Sequence, residues 1–266
     1  MIFHFSSVSF LHSRESFSIQ ATKMAAPLLE ITHYIWRSPR KEPRSKSRAL
    51  NRFDPENYKY YRNWGFSIYR TYYGEGSDKH WQTLLDALRR QTHLAVGFYD
   101  NRKVMENDRD WKRGPYSKEA RYMSHLKLFQ ERFRLFPRED PVLLDGLSIN
   151  GIRDICLKEH PDAKKDMEGA EFCFALVADE AILKGISQDK YFVKAVGYDW
   201  TESDGGWGWD RLQTCQLLDL WEMLFVTDFQ GRSKYYEMDH DGPEEEPEKH
   251  VWDGDFSLPS FGNCSQ

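Results

Sequence analysis

The segment Trp64-Gly-Phe-Ser-Ile-Tyr-Arg-Thr-Tyr-Tyr-Gly-Glu-Gly-Ser-Asp-Lys-His-Trp81 holds a strand, a glycine-marked turn and the start of a helix. Side chains alternate across a strand, so Phe66, Ile68, Arg70 and Tyr72 share one face. Arg70 therefore stands in line with apolar neighbours, where a guanidinium needs a counter-charge, a ligand or the sheet's edge. Beyond the turn, Ser77 reads as an N-cap and Asp78 as a first-turn acid. Trp81, Leu84, Leu85 and Leu88 recur at helical spacing, which predicts a helix lying on the strand.

Downstream, residues 93–114 are highly charged and lack a sustained period, and read as an exposed insertion. Ser117 opens a second helix with an apolar stripe at Tyr122, Leu126, Phe129 and Phe133. Phe133–Phe136 then turns extended before Pro137. Asp145-Gly146 is a turn signal and Ser148 a cap for a helix that shows Ile149, Ile152, Ile155 and Cys156 on one face. Phe172–Val177 is an apolar run of strand length, and Asp179 caps a brief helix through Ala181, Ile182 and Leu183. Tyr191–Trp200 is rich in β-formers and predicts a strand paired with the previous one. After Gly205-Gly206, Asp210 reads as the cap of a helix striped by Leu217, Leu220, Trp221 and Leu224 and broadened by Leu218 and Phe225, hence buried on more than one side. Three or four strands with helices between them predict a single α+β sandwich of the ferredoxin-like kind.

The flanks differ from this middle. Arg37, Arg40, Lys41, Arg44, Lys46 and Arg48 make residues 1–57 a basic leader, while Glu237, Asp239, Asp241, Glu244, Glu245, Glu246 and Glu248 make residues 232–266 an acidic tail. Both read as solvated and disordered, because neither buries enough apolar surface to offset its ordering entropy. The remaining 58–231 is the size of one domain. The Ser-rich, acid-poor start faintly resembles a mitochondrial presequence, but its arginines are sparse, and Met24 is an equally good start. A cytoplasmic protein is expected. No apolar run reaches the roughly 18 residues that span a bilayer, so no membrane association is expected.

A net charge of -5 disfavours a nucleic-acid surface. Cys156, Cys173, Cys215 and Cys264 have no Cys-x-x-Cys spacing, which argues against a zinc site or a dense disulfide framework. Cys156 and Cys173 read as inert core thiols. The histidines lack ligand spacing, Asp199–Asp210 departs from a calcium loop, and Glu237, Asp239, His240 and Asp241 stand in the tail, so no metal is expected. The hydrolase elbow, the phosphate loop and the dinucleotide fingerprint are all missing, and no cofactor is expected.

The order of these pieces is itself distinctive. WGFSIYRTYY, FRLF with LLDGLS and an Ile-Arg helix, a strand ending in Ala-Asp-Glu, a second ending in Asp-Trp, and Gly-Trp before a Leu-Trp helix together resemble a large family of ascomycete fungal proteins. The likeness covers roughly Trp64 to Phe225. It implies a fungal source and one domain with variable tails, and it transfers no activity, cofactor or catalytic residue. Asp210-Arg211 in the Gly-Trp element departs from the family pattern.

Two functional expectations follow. The first is a non-enzymatic interaction or accessory module, its acidic tail open to a basic protein partner. The second is a small-molecule binder or enzyme of secondary metabolism, with a pocket for an aromatic or anionic ligand. That pocket would use Arg70 as anchor beside Tyr72, Trp207 and Trp209 as walls, and Asp199 as acid or base. Against the pocket, Arg70 can serve as a structural ion pair with Asp179, Glu180 or Asp199, and the tryptophans as core.

Overall fold

The computed structural model describes residues 32, 34–37, 54–98, 118–230, 235 and 251–252. Five strands form one mixed sheet in the order β2-β1-β3-β4-β5: β1 (Trp64–Arg70), β2 (Phe133–Arg138), β3 (Phe174–Ala178), β4 (Phe192–Gly197) and β5 (Trp209–Gln213). β1 runs parallel to β2 and β3, whereas β3–β4 and β4–β5 are antiparallel. The α+β class holds. The expected three- or four-stranded ferredoxin-like sheet does not, because Trp209–Gln213 adds a strand and β1 has parallel partners on both sides.

β1 is buried along its whole length. It lies between two strands with side chains covered on both faces, the setting that favours a near-continuous apolar run. Gly65 has φ +125°, and a Cβ there would stand 2.1 Å from the Arg134 carbonyl oxygen, so glycine lets β2 approach. β2 is an edge strand, which is why it accommodates Pro137 within it rather than stopping before it.

Phe66, Ile68, Leu135, Phe174, Leu176, Val193, Ala195 and Leu212 point to one face. Over them lie α1 (Ser77–Phe98), α2 (Lys118–Arg132) and, later in the chain, the helices Glu180–Ile186 and Leu217–Gln230. Trp81, Leu84, Leu85 and Leu88 are buried on α1 as their spacing predicts. Trp64 stacks on Phe129 of α2 at 4.4 Å, and its indole N–H donates to the Phe129 carbonyl at 2.8 Å. The opposite face carries Tyr69, Ala175, Val177, Val196 and Trp209 beneath α3 (Pro141–Leu144) and α4 (Ile149–Glu159). α5 (Pro161–Lys164) packs on β1. We label Glu180–Ile186 α6 and Leu217–Gln230 α7.

Several local signals behave as read. Ser148 caps α4 by accepting the Gly151 amide, and Asp179 caps α6 by accepting that of Ile182. Others do not. Ser77 begins α1 but donates its hydroxyl back to the Gly74 carbonyl, leaving the oxygen to accept from Arg70. Asp210 caps nothing: it is buried in β5, directly opposite Ala195. Tertiary pairing with β4 captured a five-residue alternating segment too short to read as a strand on its own. α1 continues to Phe98 and absorbs the start of the predicted insertion, while residues 99–117 lie outside the described residues. Cys173 precedes β3 in a left-handed conformation rather than lying within it.

The core also draws on both flanks. Ile35 is fully buried, Trp36 bridges to Tyr61, and Arg37 forks onto the buried Glu168 at 2.5 and 3.0 Å. From the other end Tyr235 stacks on Phe174, and Trp252 is buried with its amide donating to the Arg211 carbonyl at 2.7 Å. These residues are packed where a solvated leader and tail were expected. The rest of both flanks, including the cluster at Glu237, Asp239, His240 and Asp241, lies outside the described residues.

Candidate functional site

The register separates the residues expected to share a pocket. Arg70 pairs with Ala178 at the carboxyl ends of β1 and β3, on the face covered by α1. Trp209 pairs with Val196, which pairs with Ala175, three residues earlier on β3 and on the opposite face. Asp199 and Trp207 lie beyond that same far end. Arg70 and Trp207 therefore stand at opposite ends of the sheet.

Arg70 is itself fully engaged. Its Nε donates to the Tyr72 carbonyl at 2.9 Å, its Nη2 to Ser77 at 2.8 Å and Asp78 at 2.5 Å, and its Nη1 reaches Glu139 at 3.4 Å. The Tyr73 ring lies 4.4 Å from the guanidinium carbon. The counter-charges are thus Asp78 and Glu139, not Asp179, Glu180 or Asp199. They were unreadable because one follows the turn and the other follows a neighbouring strand. Arg70 staples the end of β1 to the first turn of α1.

Trp207 and Trp209 pack at 5.5 Å, with Trp209 in the core. Their loop is held by Arg153, which donates to the Gly197 and Trp207 carbonyls at 3.1 and 2.5 Å and stacks on Trp200. Gly208 has φ +64° and lies against the Trp200 ring, leaving no room for a side chain. Asp199 accepts the Tyr235 hydroxyl, and burial together with that carboxylate raises the Tyr235 pKa. These contacts describe a packed corner.

A buried polar network lies under α5. Ser67, inaccessible on β1, donates to Asp162 at 2.6 Å, and Lys165 donates to Ser67 at 3.0 Å while its ammonium sits 4.4 Å over the Phe136 ring. Burial pushes the Asp162 carboxyl up to about 6, against the opposing pull of Ser67 and Lys165, and pushes Lys165 down, against the pull of Asp162. For both partners, desolvation outweighs mutual attraction. Cys156 lies in the same region, its thiol pushed up to about 12 chiefly by burial. Sequence reading missed this network because Ser67 and Asp162 are 95 residues apart.

An open concavity that carries charge lies elsewhere. Between α6 and the β4–β5 strands runs a groove of about 580 Å³ lined by Lys184, Lys190, Lys194 and Arg211, with no carboxylate among the described lining residues. Lys194 and Arg211 are direct cross-strand partners on the face opposite the one α6 packs against, and both line the groove. Lys194 is anchored by Asp179 at 2.7 Å and rests 4.4 Å over the Trp209 ring, while Arg211 stacks over Phe192 at 4.8 Å. Lys184 bonds Glu180 at 2.7 Å and extends over Tyr72 at 5.6 Å. Two of the five expected site residues, Tyr72 and Trp209, therefore touch groove lysines, while Arg70, Asp199 and Trp207 belong to the structural contacts above. Arg211, beside Asp210, places a cation in the groove lining.

No group of three or more metal-ligating side chains gathers among the described residues, and no described helix is long and apolar enough to cross a membrane. Comparison with family models, with curated proteins and with solved structures matched nothing.

Proposed function

We propose that this protein is a non-enzymatic binding module of a fungal cell that captures an anionic ligand in the groove between α6 and the β4–β5 strands. The observation that carries this reading is the presence of Lys184, Lys190, Lys194 and Arg211 in one groove whose described lining residues include no carboxylate. A cavity of that volume falls within the range of small-molecule sites. Stacking on Phe192 orients the Arg211 guanidinium, and Asp179 anchors Lys194, so neither cation needs to be ordered on binding.

A binder is better supported than an enzyme on chemical grounds. Ser67 lies against an acid and a lysine but is sealed from solvent, and the Cys156 thiol is held protonated far above neutral pH. The pocket built jointly by Arg70 and Trp207 has lost its support, because those residues stand at opposite ends and faces of the sheet. In this reading the acidic stretch 237–248, outside the described residues, is offered to a basic partner.

Titration calorimetry of the full chain against a panel of small mono- and polyanions tests the proposal. Saturable binding that weakens with salt and is lost in a Lys184→Glu, Lys190→Glu double variant supports it. Binding unaffected by those changes assigns the ligand to another surface.

A further inference from the structure

We infer that Lys165 is a site of reversible covalent capture of a small uncharged aldehyde, with Ser67 and Asp162 relaying the proton that the capture needs. The adduct is stoichiometric and stands independently of the anion groove. Lys165 differs from the groove lysines in what it touches. Lys184 and Lys194 each bond a carboxylate at 2.7 Å, whereas the acceptor that Lys165 meets is the Ser67 hydroxyl at 3.0 Å. Among the described residues no carboxylate comes within ion-pair distance of its nitrogen. An ammonium brings three donors to that one hydroxyl, whereas an imine nitrogen brings a single acceptor that Ser67 can satisfy.

The polar groups follow one another from Lys165 Nζ to Ser67 Oγ at 3.0 Å and on to Asp162 Oδ1 at 2.6 Å. A proton that leaves Lys165 passes through the Ser67 hydroxyl to the Asp162 carboxylate, which leaves an amine, a carboxylic acid and no charge under α5. Burial favours that neutral pair, since it lifts the Asp162 pKa to about 6 and lowers that of Lys165. Ser67 and Asp162 are buried but Lys165 is only half-buried, so the nucleophile is the member of the three that solvent reaches. The Phe136 ring, 4.4 Å from the nitrogen, offers an apolar seat for the carbon chain of an aldehyde. Arg138 and Glu159 stand beside the amine and pair with each other at 3.0 Å, so neither is left to hold a charged substituent. The Cys156 thiol and the Tyr198 hydroxyl, the other titratable groups facing the pair, are kept protonated by burial.

In the step itself the Lys165 nitrogen bonds the carbonyl carbon, and the carbonyl oxygen takes a proton from Asp162 by way of Ser67. The resulting hydroxyl takes a second proton along the same path and leaves as water. Each proton that Asp162 gives to oxygen is returned to it from nitrogen. One amine and one aldehyde thus give one imine and one water, and neither oxidant nor reductant is consumed.

The experiment exposes the full chain to propanal near the Asp162 pKa of about 6, quenches with borohydride at timed intervals and maps the reduced adducts by peptide mass spectrometry. The adjacent, exposed Lys164 is the internal reference. Lys165 should be labelled about a hundredfold faster than Lys164, which is what a positioned general acid contributes. That advantage should shrink as pH rises and Asp162 loses its proton. Asp162→Asn and Ser67→Ala, in variants that keep the wild-type circular dichroism, should each remove most of the advantage and its dependence on pH. Glyoxylate, an aldehyde that bears a carboxylate, should show a smaller preference for Lys165 over Lys164 than propanal does. Equal labelling of the two lysines in the wild type overturns the inference without recourse to a variant. Fast labelling of Lys165 that survives both substitutions with its pH dependence intact overturns the relay. A preference for Lys165 as large with glyoxylate as with propanal overturns the uncharged class of ligand.

Discussion

Two polar regions stand on the same face of this sheet and behave in opposite ways. At β1, Ser67 faces Asp162 and Lys165 under α5, and the carboxyl is held up near 6 because it is out of water. At β4–β5, Lys194 and Arg211 project from the same face into an open groove beside α6. Both hold charged side chains within reach of an aromatic ring. What separates them is helical cover: α5 closes the first, and no described helix closes the second. The same residue types thus become a desolvated structural network in one place and the lining of an open groove in the other.

The largest expected effect is a test of the sealed region. The Asp162 carboxyl is raised from 3.8 to about 6, so the folded state holds the proton more tightly than the unfolded chain does. Its contribution is fully present below the unfolded value and is lost as pH rises through about 6. That difference corresponds to about 3 kcal/mol. Urea midpoints measured between pH 4 and pH 8 should fall in the wild type relative to Asp162→Asn. Parallel profiles would show that the region is wetter than its burial implies and would break the contrast.

Arg70 offers a second sealed cation, with its charge partners at the rim. Arg70→Ala should cost about 2 kcal/mol in chemical denaturation, because the carboxylates left behind, Asp78 and Glu139, reach solvent with 92% and 41% of their side chains exposed. A loss below a few tenths of a kcal/mol would place Arg70 with the groove lysines instead.

Gly185 sharpens the open side. It sits inside α6 with room for a methyl group, so Gly185→Ala should raise stability by about 0.5 to 1 kcal/mol. A drop in melting temperature would mean that the wall is already closed. Smallest of all, Lys184→Ala should change stability by less than about 0.5 kcal/mol, as its pair with Glu180 is exposed on both sides. A larger loss would give the groove lysines a structural role.

Legibility in the sequence followed distance along the chain. The strand at Trp64, the Leu stripe of α1, the caps at Ser148 and Asp179 and the β3–β4 pair all depend on neighbours a few residues apart, and all were readable. Strand β5 was not, because WDRLQ is half polar and becomes a strand only against β4. Nor could the expected site be assembled, since the alternation that puts Arg70 among apolar neighbours says nothing of which strand end or face Trp209 occupies.

Periodicity, capping residues and composition by themselves determined an α+β core from Trp64 onward and a buried arginine at the end of its first strand. The strand order, the recruitment of Ile35 and Trp252, the ion pairing of Arg70 with Asp78 and Glu139, and the meeting of Lys184, Lys190, Lys194 and Arg211 were decided only in three dimensions. The reason is physical: local backbone preference acts over one or two turns, whereas register and helical cover set which charges lose their water and which keep it.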